Sequence, residues 1–281
     1  MRNSVLGRYA AAFPPTHLAG ADGLLCAGGD LDAFRLIAAY SLGIFPCFSA
    51  DSPILWWAPD PRCVMPLNDF HISARSRRAI GKKAFSFSLD RAFGRVISAC
   101  SAARPGSDGV WITPEMIRAY CRLHELGYAH SIEVWQGGDL AGGLYGVALG
   151  KAFFGESMFH YASEASRAAL AALVSLLRQR GAVLLDCQQE SPHMMRMGAC
   201  LLGRKDFENL LAGALGQGAQ AHGAFCPEQD IPPPVDFLPW PRWKKYRWAD
   251  EERCWRLLDE GCQVPVNRRI QAVYRQEGRN A

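Results

Sequence analysis

The sequence predicts a mixed α/β fold of the α+β kind, and three adjoining stretches carry that expectation. His130 to Trp135 alternates with the period of a strand. Leu140 to Phe159, entered through the turn Gln136-Gly137-Gly138-Asp139, reads as a glycine-rich hairpin. An alanine- and leucine-rich helix from Ser163 to Arg180 follows, stops at Gly181, and gives way to a strand from Val183 to Cys187.

Upstream, Gly23 to Gly29 reads as a short strand entering a glycine turn. Asp30 or Asp32 then caps a helix through Leu42, with Gly43 as its left-handed stop. Pro53 to Arg62, centred on Pro59-Asp60-Pro61, reads as a turn-rich connector and a domain boundary. Further on, Thr113 suits an N-cap, Pro114 the first helical position and Glu115 the positive helix end, with the helix running to Gly127. These signals divide the chain into a small N-terminal domain (1–60), a larger domain (61–215), and a linker with a C-terminal extension (216–281). In the extension, Gly216 to Pro241 is rich in Gly, Ala and Pro, and Trp240 to Trp248 interleaves cations with aromatics. Its tryptophans are expected to dock the tail on the main body, and two helical patterns follow, at 250–260 and 265–276.

At 281 residues the chain is long enough to bury a substantial core, and a net charge of +4 permits an anionic partner without requiring one. The longest apolar run, Ala168 to Leu177, is too short to span a bilayer. No signal-peptide pattern precedes Phe13, and the 10 cysteines contain no C-x-x-C pair and no metal-like spacing. A cytoplasmic protein without a bound metal is the expectation.

The chemistry-bearing residues concentrate in two places. Gly155-Glu156-Ser157-Met158-Phe159 puts a carboxylate beside a glycine, and Asp186-Cys187-Gln188 ends the last strand. Residues i and i+2 of a strand share a face, so Asp186 and Gln188 can look into one pocket with Cys187 turned away. By themselves, Glu156 and Asp186 read equally well as turn-capping carboxylates. A third cluster is cationic: Arg75, Arg77, Arg78, Lys82 and Lys83, continuing to Arg91 and Arg95, with Asp90 alone in opposition. Such a face can seat a phosphate backbone or simply be solvated. His71 and His124 show no partner spacing and read as structural.

Together with Trp111-Ile112-Thr113-Pro114-Glu115-Met116 and Leu123-His124-Glu125-Leu126-Gly127, these segments resemble the leucyl/phenylalanyl-tRNA–protein transferase family, from about Phe13 to about Leu215. The resemblance implies an acetyltransferase-like (GNAT) fold for the larger domain. It implies transfer of Leu or Phe, with Met as a further donor, from aminoacyl-tRNA to the N-terminal Arg or Lys of proteins, marking them for N-degron degradation. It further implies no organic cofactor and a monomer without a membrane role.

In that scheme Gln188 accepts a hydrogen bond from the attacking amine, Asp186 holds the Gln188 amide in place, and Glu156 attracts the cationic acceptor end. Trp111, Phe153, Met158 and Tyr40 match positions that build the donor slot and adenosine surface. Leu144, Leu173 and Leu177 are further candidates whose plainer reading is core. Arg75, Arg77, Arg78, Lys82 and Lys83 would meet the tRNA. Two departures stand out: Cys47 occupies the place of the family's usual Trp, which removes a stacking face that Trp56 or Trp57 would have to replace, and His160-Tyr161-Ala162 stands where Ser-Arg is usual. Two other readings are a non-catalytic tRNA- or N-terminus-binding protein and a CoA-dependent acyltransferase. The latter wants a glycine-rich loop before the helix, and Met158 to Ser163 contains no glycine.

Overall fold

The computed structural model describes residues 13–102, 112–216, 246–249 and 254–257, the last two segments by backbone alone. A short 3-10 turn, Thr16–Leu18, leads into strand β1 (Leu24–Ala27) and helix α1 (Ala33–Ser41). Asp32 starts that helix by accepting a hydrogen bond from the Phe34 N–H at 2.9 Å, while Asp30 pairs instead with Arg35. Gly43, with φ 75°, ends it: a Cβ there would fall 2.7 Å from the Phe207 ring. Strands β2 (Phe45–Pro46) and β3 (Leu55–Trp57) complete a small sheet of order β1-β3-β2. The expected connector at 53–62 therefore contains a strand. Leu55-Trp56-Trp57 are strong strand formers, and both indoles are anchored, Trp56 on the Gly28 carbonyl at 2.9 Å and Trp57 on that of Cys47 at 2.7 Å.

The main sheet is built from β4 (Arg62–Val64), β5 (Ser86–Leu89), β6 (Ala129–Gln136), β7 (Asp139–Leu149), β8 (Ala152–His160), β9 (Leu184–Gln188) and β10 (Cys200–Leu202), extended by β11 (Tyr246–Ala249) and β12 (Cys254–Leu257). The strand order is β10-β4-β9-β8-β7-β6-β5-β11-β12. Pairing is antiparallel throughout except between β8 and β9, where the intervening helix forces a crossover. The helices are α2 (Ala74–Gly81), α3 (Phe93–Ser101), α4 (Pro114–Glu125), α5 (Ala165–Gln179), the single turn α6 (Pro192–Met195) and α7 (Arg204–Ala214). The expected helical pattern at 250–260 is a strand at its centre, Cys254–Leu257. It pairs with β11, whose Tyr246 lies opposite Phe87 of β5, so the tail docks by backbone on the sheet edge.

Two apolar layers sandwich the sheet. One contains α1, α3, α4 and α7 against Tyr145, Val147, Phe154 and Phe159, and joins the N-terminal sheet to the main one. The other packs α2 and α5 against Leu144, Phe153 and Leu185. Helix α4 shows how the first layer forms. Thr113 Oγ accepts from the Met116 N–H at 3.2 Å, and Met116, Tyr120 and Leu123 then line one fully buried stripe.

Two irregularities interrupt the sheet. Tyr145 pairs with Ser157 and Gly146 with Gly155, so Glu156 is the extra residue of a β-bulge. The bulge shifts the alternation by one: Phe153 and Met158, five apart, share the α5 face, and Phe154 and Phe159 share the other. The parallel ladder also ends early. It runs Ala152–Leu184, Phe153–Leu185 and Phe154–Asp186, after which β8 continues to His160 without β9.

The tight approach of β7 to β8 beside the bulge requires glycine: a Cβ on Gly146 would lie 2.2 Å from the Phe154 carbonyl oxygen. Gly146→Ala is expected to destabilise the protein by about 3 kcal/mol, read as a lower urea midpoint with an unchanged m-value.

Candidate active site

Glu156, Asp186 and Gln188 meet where the β8–β9 ladder ends. The bulge turns Glu156 toward the α1/α4 face. There Tyr40 of α1 donates to its Oε1 at 2.7 Å and Tyr120 of α4 donates to its Oε2 at 3.0 Å. The two tyrosine hydroxyls also contact each other. The Gln188 side-chain amide donates to the same Oε1 at 2.7 Å. Gln188 has φ 62°, unusual for a residue with a side chain, and this left-handed turn at the strand end swings its amide toward Glu156.

Asp186 is completely buried and bound to Arg62 through a two-pronged contact, Nε to Oδ1 at 2.9 Å and Nη2 to Oδ2 at 2.7 Å. Its Oδ1 also accepts the Gln188 backbone N–H at 2.8 Å. The pair thus differs from the expected arrangement. Asp186 fixes the Gln188 main chain, and the side-chain amide is oriented by Glu156, because the left-handed backbone carries the amide away from the carboxylate two residues earlier. Cys187 turns to the other face, as alternation requires, and its thiol meets that of Cys63.

Burial dominates the electrostatics. It raises the Glu156 carboxyl to about 7, opposed by the hydrogen bonds from Tyr40, Tyr120 and Gln188 and assisted by Asp186. The residue keeps a partly open surface, yet protein atoms surround the carboxylate closely enough for desolvation to outweigh three donors. Tyr40 and Tyr120 are pushed well above the ordinary phenol value, by burial first and the Glu156 charge second. Cys47, beside this group, is raised to about 11 by burial and then by Glu156. The Tyr145 hydroxyl is buried in the same neighbourhood and has no hydrogen-bond partner.

The apolar candidates lie on the opposite face. Phe153, Leu173 and Leu177 line one recess with Leu89, Ile132 and Leu176, rimmed by His130 and Ser131. Leu144 is buried in the same layer and Met158 packs against it. Trp111 lies outside the described residues. Of the cations, Arg75, Arg77 and Arg78 sit on α2 and Lys82 and Lys83 just beyond it. Arg75, Arg78 and Lys82 are exposed, and among the described residues none of the five forms an ion pair. Arg91 and Arg95 instead lie over the Trp135 ring, each 5.3 Å from its centroid. His124 stacks on Phe93 and bonds the Ala129 carbonyl, a structural placement.

Sequence reasoning passed over Arg62 and Tyr120. Tyr120 reads as one more apolar position on a helix stripe, and Arg62 stands 124 positions from its partner. A second buried carboxylate, Glu133, lies away from this cluster. It accepts from the Ser131 hydroxyl at 2.6 Å and the Ala92 N–H at 3.2 Å at the start of α3, and burial raises it to about 7.

Both raised carboxyls make stability pH-dependent with a definite sign. A glutamate whose folded value stands above its unfolded one stabilises the fold while protonated in the folded state, and that contribution is lost as pH climbs from the unfolded value toward about 7. Each loss amounts to roughly 3 kcal/mol. In urea unfolding, Glu156→Gln is expected to be more stable than the parent at pH 8, with the advantage shrinking toward pH 5.

The family model for leucyl/phenylalanyl-tRNA protein transferase matches residues 64–212, and that for its N-terminal domain matches residues 29–60. Over 85% of this chain and the whole of the relative, the sequence is 48% identical to the leucyl/phenylalanyl-tRNA–protein transferase of Nitratidesulfovibrio vulgaris (strain DP4). It is 52% identical to that of Anaeromyxobacter sp. (strain K), over 73% of this chain and 89% of the relative. Likeness to solved structures is low: a GCN5-related N-acetyltransferase-like protein from Streptococcus suis aligns at TM-score 0.30 and 11% identity, covering 57% of this chain and 59% of that one. From the family models and the relatives, the chain belongs to the leucyl/phenylalanyl-tRNA protein transferase family.

Proposed function

We propose that this chain transfers Leu or Phe from aminoacyl-tRNA to the N-terminal Arg or Lys of acceptor proteins, in the cytoplasm and as a monomer, and that its products enter N-degron degradation. The observation that carries the reading is the Glu156–Gln188–Tyr40–Tyr120 cluster, seated at a break in the sheet with an apolar recess on the far face. Family membership supplies the reaction class. Among the described residues no helix is long and apolar enough to cross a membrane.

The acceptor amine attacks the ester carbonyl carbon of the donor. A C–N bond forms, the tetrahedral oxyanion collapses, the C–O bond breaks, and the terminal ribose hydroxyl leaves with a proton. An α-amine has a pKa near ~8 and needs only a modest base. Glu156, raised to about 7, is matched to that task and holds the proton released from the amine. The Gln188 carbonyl accepts from the amine and fixes its approach, and positioning of this kind is worth roughly 7–11 kcal/mol in well-oriented reactions. Tyr40 and Tyr120 keep Glu156 aimed at the break.

The recess of Phe153, Leu173 and Leu177, with Leu144 and Met158 behind it, takes the donor side chain and rejects polar ones by leaving them unpaired. Trp57, packed against Cys47, supplies an aromatic surface near the position where the family's indole is replaced. Trp111 completes the adenosine platform, and the α2 cations with Lys82 and Lys83 meet tRNA phosphates.

The test is transfer of labelled Leu and Phe, each carried on tRNA, to a peptide beginning with Arg and to a matched peptide beginning with Ala. Transfer to the Arg peptide alone is the expected result; no transfer under conditions where the charged tRNA binds would sink the reading. Narrowing the recess with Leu173→Phe is expected to lower kcat/KM for Phe relative to Leu by about 10-fold or more.

A further inference from the structure

We infer that Arg62 is a positioning residue for the transfer reaction, clamping Glu156 from two sides through Asp186 and through the carbonyl of Gly43. The inference rests on the function proposed above and deepens it. Arg62 is 1% exposed and cannot touch a substrate, so whatever it does for catalysis it does through other groups.

The first arm runs through β9. The guanidinium holds both Asp186 oxygens, Asp186 Oδ1 holds the Gln188 N–H, and the Gln188 amide reaches Glu156 Oε1. The middle link matters most, because Gln188 at φ 62° sits where side-chain-bearing residues are rarely stable without support. The second arm runs through the N-terminal domain. Arg62 Nη1 donates to the Gly43 carbonyl at 2.9 Å, the Gly43 N–H donates to the Tyr40 carbonyl at 3.0 Å, and the Tyr40 hydroxyl reaches the same Oε1. Both arms thus end on one oxygen of the group that receives the amine proton.

The clamp is also rigid. The rings of Phe45 and Phe207 flank the guanidinium, 4.8 Å and 4.7 Å from its central carbon, and leave its plane no room to turn. A lysine would keep the charge and lose the fork, since one ammonium cannot reproduce a planar set of donors. The arrangement also decides the proton's destination. Both Asp186 oxygens are occupied by Arg62, whereas Glu156 is open to the break in the sheet, so Asp186 serves as an anchor and Glu156 as the acceptor.

Groups facing Glu156 come from every neighbouring element: Tyr40 and Cys47 from the N-terminal domain, Tyr120 from α4, Tyr145 from β7, and Asp186 and Gln188 from β9. The Tyr40 and Gln188 bonds hold the Glu156 value down against burial. Slackening either arm therefore moves its titration upward.

The experiment compares the full-length protein with Arg62→Lys in steady-state transfer from Leu-tRNA between pH 5.5 and 8.5, beside a carbon-13 NMR titration of the Glu156 carboxyl. For Arg62→Lys we expect kcat to fall by about 100-fold with the donor KM within about threefold. We also expect both the acid limb of the profile and the NMR inflection to move up from the wild-type value. Phe207→Leu, which opens one wall and keeps the cation, is expected to move both readouts the same way by less, and it carries the test if Arg62→Lys does not fold. A folded variant with wild-type kcat and an unmoved inflection overturns the clamp, as does a loss of transfer that only tracks the unfolded fraction. If the wild-type protein transfers nothing, the proposed function fails. The NMR titration still decides the clamp, and an unmoved Glu156 overturns it.

Discussion

Taking a carboxylate and a guanidinium out of water costs several kcal/mol per ion, and the attraction between them offsets this only when every remaining donor and acceptor is satisfied. The Arg62–Asp186 pair meets that condition by gathering partners from distant stretches of the chain: the Gly43 carbonyl after the first helix, the Gln188 N–H at the end of β9, and aromatic walls from Phe45 and Phe207. The N-terminal sheet, the central strands and the last helix of the family region converge on this one buried cation. Were any of them displaced, a charge would remain in a dry interior with a lone pair or proton unmatched. The pair therefore ties the assembly of the two sheets to the geometry of the strand that ends in Gln188.

Around that anchor the site is made from two departures from regular sheet. The bulge at Glu156 adds one residue to β8, which aims a carboxylate at the α1/α4 face and still returns Met158 to the α5 face beside Phe153. The early end of the β8–β9 ladder after Phe154 and Asp186 separates two strands that would otherwise close over the polar cluster. A continuous sheet would bury Glu156 against its neighbours or direct it elsewhere. Here its carboxylate is densely surrounded yet partly open, the combination that places its titration near neutrality.

Much of the framework was legible because local rules decide it. Gly43, Gly127 and Gly181 stop helices in the left-handed conformation, Thr113 caps one, and the alternation at 130–135 fits a strand that lies within the sheet. Asp186, Gln188 and Glu156 were found through family motifs, and the structure brings them together. Their mutual bonding was hidden, since the left-handed φ at Gln188 violates the alternation from which a shared pocket was argued. The short strands at 55–57, 62–64 and 200–202 escaped notice because three residues show no period, and Leu55-Trp56-Trp57 looked like part of a turn. The tail misled in the opposite way: Cys254 to Leu257 has a composition open to either structure, and its pairing with β11 settles it as strand. Arg62 was invisible for a simpler reason, that nothing in a sequence links two residues so far apart.

The sheet also acts as a partition. Glu156, Gln188, Tyr40 and Tyr120 occupy one side and the Phe153–Leu173–Leu177 recess the other, and the two sets have no hydrogen bond or ring contact in common. Changes at groups without shared partners combine almost additively. On the proposed reading, the surface that chooses the incoming side chain can drift on α5 while the proton-handling group stays intact. Lineages carrying this fold are thereby free to explore new donors by single steps, each tolerated by the catalytic side before the next arrives.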